Sequence, residues 1–245
     1  MCSIIKRDEF IITQDDINKN RYSLIFSTNS EPIIRSISNT KIILGTTTSE
    51  NYDLLSFNAT SIETFKQYIT LNKLKKMDYK TSLKMVLDLS LQLDYLLKKW
   101  SKTFLGYNPD NLIVVDGNKF IYISNEYLLD IDDEEVTITF PFSQKDFLLS
   151  PELYIIKELP SNVYYKTTYF SLGIIIIYGL IGNMDFLKDE INDRNDRNDR
   201  NERNETIDKK MNNILESIPI KGTKLYSLIK RCLDEEPKRR SIIFI

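Results

Sequence analysis

The hydrophobic period of this chain changes near residue 57, and that change constrains the fold more than any other feature. Residues 10–13, 22–27, 41–47 and 52–57 are short runs rich in Ile, Phe, Tyr and Thr. Asn, Asp and Ser separate them, and the pattern predicts β-strands. Beyond Phe57 the spacing becomes helical. Residues 61–69 predict a short helix. Asp78 or Thr81 can cap a longer one that runs to Trp100 and places Leu83, Val86, Leu87, Leu93, Leu97 and Trp100 on one face. A small β-rich part (1–57) followed by a larger, mainly helical part (58–245) predicts an α+β chain with two lobes.

Residues 112–115 and 120–123 flank Asp116-Gly117, a strong turn signal, and predict a hairpin. The acidic run 130–135 predicts a surface loop. Residues 170–181 are apolar on every side and so predict a buried helix. That run is shorter than the roughly 20 residues of a membrane span. Residues 192–205 are a low-complexity insertion built on Asn-Asp-Arg triplets with no apolar side chain, so they predict a solvated segment. Helical spacing resumes at Ile214, Leu215 and Ile218 and again at Leu225, Leu228, Ile229 and Leu233, with Pro237 as the stop.

Composition excludes several kinds of function. The formal net charge is -2, which predicts neither a nucleic-acid partner nor an anionic membrane surface. The chain has no histidine, so histidine triads, histidine bases and histidine metal sites are excluded. Its two cysteines, Cys2 and Cys232, make neither a disulfide framework nor a zinc site. They predict a reducing, intracellular and cytoplasmic setting. Residues 1–10 are charged early and do not read as a secretion signal.

Four segments, in order, resemble the protein kinase family. Tyr107-Asn108-Pro109-Asp110-Asn111-Leu112-Ile113-Val114 resembles the end of the kinase catalytic loop. Ser150-Pro151-Glu152 resembles the Ala-Pro-Glu motif that closes the activation segment. Lys166-Thr167-Thr168-Tyr169-Phe170-Ser171-Leu172-Gly173 is similar to the start of the buried helix of the kinase C-lobe. Cys232-Leu233-Asp234 through Pro237 to Arg240-Ser241 resembles the terminal signature of that lobe. The resemblance spans about residues 52–245. It implies a protein-kinase-like bilobal fold with a reduced N-lobe and an intact C-lobe.

Phosphoryl transfer of the kinase type needs a Gly-rich loop, a strand Lys paired with a helix Glu, a catalytic Asp, and an Asn and an Asp for magnesium. The first glycine of this chain is Gly45, so the Gly-rich loop is missing. Aligned on the resemblance, Gly106 occupies the catalytic Asp position and Ser124 the metal Asp position. Tyr107 and Asn108 follow where Leu and Lys are usual. Asn111 remains as the one cofactor-binding candidate. Thr168 stands where the family has a buried Asp that supports the catalytic loop. The residues kept are structural, because Glu152 and Arg240 are implied to form a buried ion pair.

The resulting expectation is a pseudokinase without phosphoryl transfer, with no catalytic residue, metal or cofactor, that binds a protein partner. The alternative is a divergent serine/threonine protein kinase. It would hold ATP with magnesium through Lys19 or Lys41 on phosphate and Asn125 or Glu126 on metal.

Overall fold

The computed structural model describes residues 2–71, 76–142, 148–182, 211 and 213–242. The low-complexity insertion at 192–205 lies outside the described residues. Strands β1 (Cys2–Lys6), β2 (Phe10–Gln14), β3 (Arg21–Phe26), β4 (Thr47–Thr48) and β5 (Leu54–Asn58) form one antiparallel sheet in the order β1-β2-β3-β5-β4. Helix α1 (Glu31–Asn39) lies between β3 and β4 in the chain. Alternation along the strands buries one face. Phe10 and Ile12, then Tyr22, Leu24 and Phe26, then Leu55 and Phe57 point inward. Helix α1 adds Ile33, Ile34 and Ile37 to the same core, and its Pro32 sits in the first turn, where a missing N–H costs nothing.

Two expectations change here. Of residues 41–47 only Thr47 is in a strand, β4, because Lys41 and Gly45 both adopt positive φ (56° and 67°) and break the extended run. Ile42 and Ile43 are buried as anchors of a loop while Leu44 is exposed. The 61–69 segment is helical only from Phe65, with β6 (Ile62–Thr64) preceding helix α2 (Phe65–Leu71).

Helix α3 (Tyr79–Trp100) begins where Asp78 accepts the N–H of Thr81 at 2.7 Å and ends at left-handed Ser101. Its inward face differs from the one expected from its leucines. Met85, Val86, Leu89, Leu93 and Leu96 are buried, together with the polar Asp88 and Gln92, whereas Leu83 and Leu87 are exposed. The polar pair has partners on the next sheet, which contains β6, β8 (Leu112–Val115) and β9 (Lys119–Tyr122) in the order β6-β8-β9. Asp88 Oδ2 accepts the N–H of Phe120 at 3.1 Å. Gln92 Oε1 accepts the N–H of Tyr122 at 2.9 Å, and its Nε2 donates to Tyr122 O at 2.8 Å and to Ser36 Oγ of α1 at 3.1 Å. The β8–β9 turn has positive φ at Asp116 and Gly117, as a tight hairpin turn requires.

Two smaller antiparallel pairs follow. They join β7 (Lys102–Phe104) to β10 (Leu128–Asp130) and β11 (Glu135–Ile138) to β12 (Ser161–Tyr164). The acidic run 130–135 spans the turn between β10 and β11, with Asp130 and Glu135 as the strand ends. A short helix, α4 (Pro151–Tyr154), precedes α5 (Thr167–Ile181), which is buried from Thr167 to Leu180. Helix α6 (Lys224–Cys232) packs on α5 at Gly173. A Cβ at residue 173 would stand 3.0 Å from Leu233 Cδ2 and 3.1 Å from Cys232 Cβ, so the approach needs glycine. Helix α6 stops at Cys232, ahead of the proline expected to end it; Pro237 instead opens a 3₁₀ turn, Pro237–Arg239.

One hydrophobic cluster runs from Ile5 to Cys232 and continues across residue 57. A second joins Leu105, Leu129, Val136, Ile138, Leu149, Leu153 and Val163. No helix among the described residues is long and apolar enough to cross a membrane.

Candidate functional site

The segment 106–111 leads into β8 and is held from several sides. The N–H of Tyr107 donates to Ser171 Oγ of α5 at 2.7 Å, and its carbonyl accepts the N–H of Leu148 at 3.1 Å. Asn108 builds the turn that follows. Its Oδ1 accepts the N–H of Asp110 at 2.8 Å, its carbonyl accepts Asn111 N and Leu112 N, and its own N–H donates to the Tyr122 hydroxyl at 3.1 Å. The Tyr122 ring packs edge-on against Phe104 and Tyr107 at 4.7 Å from each. Burial pushes both tyrosine hydroxyls up, so both stay neutral.

Against this frame lies the β1–β2 turn, Arg7-Asp8-Glu9. Arg7 Nη2 pairs with Asp110 Oδ1 at 2.9 Å and Arg7 Nε donates to the Asp110 carbonyl at 3.3 Å. Lys66 of α2 takes the other Asp110 oxygen at 2.9 Å. Glu9 reaches the segment after β9. Its Oε2 accepts the N–H of Asn125 at 2.5 Å and of Glu126 at 2.8 Å, and its Oε1 accepts Ser124 Oγ at 3.4 Å. Asn125 Nδ2 donates to Thr28 Oγ1 at 3.2 Å. A cleft of about 290 Å³ remains, lined by Arg7, Asp8, Glu9, Asn108, Asp110, Asn111, Glu126 and Tyr127.

The structure brings Asn111, Ser124, Asn125 and Glu126 to this cleft or its wall. Ser124 is fully buried and Asn111 nearly so. Gly106 lies behind them in filled space. A Cβ there would meet Ser171 Oγ at 3.2 Å, with Leu148 O and Leu149 Cδ2 each at 3.6 Å. Lys19 and Lys41 are not brought in. Lys19 is in the β2–β3 turn, a strand length of about 16 Å from the Arg7–Glu9 turn. Lys41 follows α1, whose length sets it about 13 Å from the Asn125 contacts at 28–29. Thr168 is buried with its hydroxyl unpartnered, and Ser171, one turn later, holds the loop.

Glu152 and Arg240 meet in a bidentate pair away from the cleft. Arg240 Nη1 donates to Glu152 Oε1 at 2.5 Å and Nη2 to Oε2 at 3.0 Å. Arg240 is fully buried, its Nε donates to Asp234 O at 2.8 Å, and its guanidinium covers the Phe170 ring at 5.0 Å.

The residues of the cleft do not fit a nucleotide with magnesium. Its four carboxylates outnumber one guanidinium, which repels phosphate. The backbone N–H groups of Asn125 and Glu126, which an anion could use, already serve Glu9. Both oxygens of Asp110 face cations. Among the described residues no group of three or more His, Cys, Asp or Glu side chains converges that could hold a metal ion. Arg7 and Glu9 escaped the sequence reading, because a charged triplet between two strands carries no local sign of partners more than a hundred residues away. No family model matches the sequence, and no curated protein matches it.

Proposed function

We propose that this chain is a kinase-like protein that transfers no phosphate and acts as a protein-binding module, a pseudokinase with a reduced N-lobe. The observation that carries the reading is the Arg7–Glu9 turn. On the resemblance to kinases, the first hairpin of the sheet is where a Gly-rich loop would cover the phosphates of ATP. Here that hairpin turns inward instead. Arg7 binds Asp110 beside Asn111, and Glu9 binds the backbone of the segment where the metal Asp would stand.

Three further features support it. The third strand offers no lysine, since its inward residues are Tyr22, Leu24 and Phe26. The glutamate of the helix after it, Glu31, pairs with Arg35 of the same helix at 2.6 Å. The Glu152–Arg240 pair, by contrast, is the structural staple that the resemblance implies. The free cysteines Cys2 and Cys232 suit a reducing, cytoplasmic setting.

The test is thermal unfolding of the purified chain with millimolar ATP, with and without magnesium or manganese. The expected result is no shift. A ligand at 100 times its dissociation constant stabilises the native state by about 2.7 kcal/mol, so a bound nucleotide would be seen. A metal-dependent shift, followed by transfer of labelled phosphate to protein, would overturn the reading in favour of the divergent kinase.

A further inference from the structure

Tyr79, Leu83, Leu87 and Leu91 recur every fourth residue of α3 and so form one row along its surface. They are 40%, 37%, 40% and 37% exposed, and they are four of the nine exposed large apolar side chains among the described residues. Elsewhere such residues are scattered singly, which is ordinary; a continuous row is not. Extended by Tyr95, the row is symmetric about Leu87. Reflection about Leu87 exchanges Leu83 with Leu91, Lys80 with Asp94, and Tyr79 with Tyr95.

We infer that a second copy of this chain docks here, α3 against α3, antiparallel about a two-fold axis at Leu87. In a two-fold contact, where residue i of one copy meets j of the other, j also meets i. Leu87 meets Leu87 of the other copy, and Leu83 meets Leu91. Lys80 faces Asp94 at both ends, so the charges match; a parallel pairing would set Lys80 against Lys80. Asp94 is half exposed, at 49%, and pairs with Lys98 of its own helix at 2.9 Å, so the other copy's Lys80 shares that carboxylate with Lys98. The Tyr95 hydroxyl is already fixed by Asn39 Nδ2 at 2.9 Å, which holds its ring beside the row. Rows of fourth residues packing together are the commonest helix–helix geometry, with crossing angles near −50°.

Sedimentation equilibrium of the full chain tests this. The expected result is a dimer at about 100 µM. Leu87→Glu sets two carboxylates against each other on the axis and raises the dissociation constant about 30-fold or more. Its circular dichroism stays that of the parent, since the site is exposed. Lys80→Asp and Asp94→Lys each weaken the dimer, and the two together restore it. A chain that stays monomeric at that concentration, or a dimer indifferent to Leu87→Glu, overturns the proposal. A double charge variant no tighter than either single one overturns the antiparallel register.

Discussion

Glu9 and Asn125 are 116 residues apart in the chain, yet the Glu9 carboxylate accepts the backbone N–H of Asn125 and, with the same oxygen, that of Glu126. This joins the N-terminal sheet to the segment following β9. Glu9→Ala is expected to cost about 1–2 kcal/mol, because two donors lose a charged acceptor. Glu9→Gln, which keeps one carbonyl oxygen, costs less. Urea unfolding of the two variants beside the parent measures both, and equal stability of all three would mean that Glu9 does not hold the turn.

Gly106→Asp restores the residue type of a catalytic base without restoring its room. The new side chain must leave past Ser171 Oγ, Leu148 O and Leu149 Cδ2. A loss of about 1–3 kcal/mol is expected from overpacking, with no phosphate transfer gained. Assay of the variant with labelled ATP, alongside its melting temperature, reads both outcomes.

Breaking the Glu152–Arg240 pair leaves a fully buried guanidinium without its carboxylate. Glu152→Ala is expected to destabilise by about 3–5 kcal/mol. Arg240→Lys also destabilises, since an ammonium cannot reproduce the two parallel bonds and the contact to Asp234 O. The double variant Glu152→Leu with Arg240→Met recovers part of the loss by removing both charges. A double-mutant cycle in denaturant gives the coupling directly.

Acid should weaken the hairpin turn. Partial burial opposes ionisation of Asp116, but Lys119 at 2.7 Å and the N–H and hydroxyl of Thr60 outweigh it. They hold the carboxyl at about 2, below its ordinary 3.8. The folded state therefore binds this proton less tightly than the unfolded one. The stability Asp116 contributes is complete above the ordinary value and is lost as pH falls through the window down to about 2. Asp116→Asn, which tolerates the positive φ, should flatten that part of the stability profile between pH 5 and pH 2.

Much of the α+β order was legible because long periodic elements announce themselves. The Asp78 cap, the all-apolar α5 and the Asp116-Gly117 turn carry their signals within a few residues. Helix α1 did not, because its nine residues mix β-branched Ile with Ser and Asn, and only Pro32 and the spacing of Ile33, Ile34 and Ile37 mark it. Residues 41–47 read as a strand because composition alone cannot show the positive φ of Lys41 and Gly45. In α3 the leucines misled, since the inward face spends two positions on Asp88 and Gln92 while Leu83 and Leu87 face outward. At the candidate site, the resemblance pointed to Asn111 and Ser124; Asn111 lines the cleft and Ser124 contacts Glu9. Nothing pointed to Arg7 and Glu9, because their partners are chosen by tertiary approach.

Asp88 and Gln92 have a consequence for how this chain keeps to itself. Strand β9 is the last of its sheet, and its outward N–H and C=O groups would otherwise be a template for any extended segment that came near. With Phe120 N, Tyr122 N and Tyr122 O all bound by side chains of α3, that template is closed. The helix ends the sheet chemically as well as sterically, so β9 gives no foothold for runaway strand addition and fibre growth.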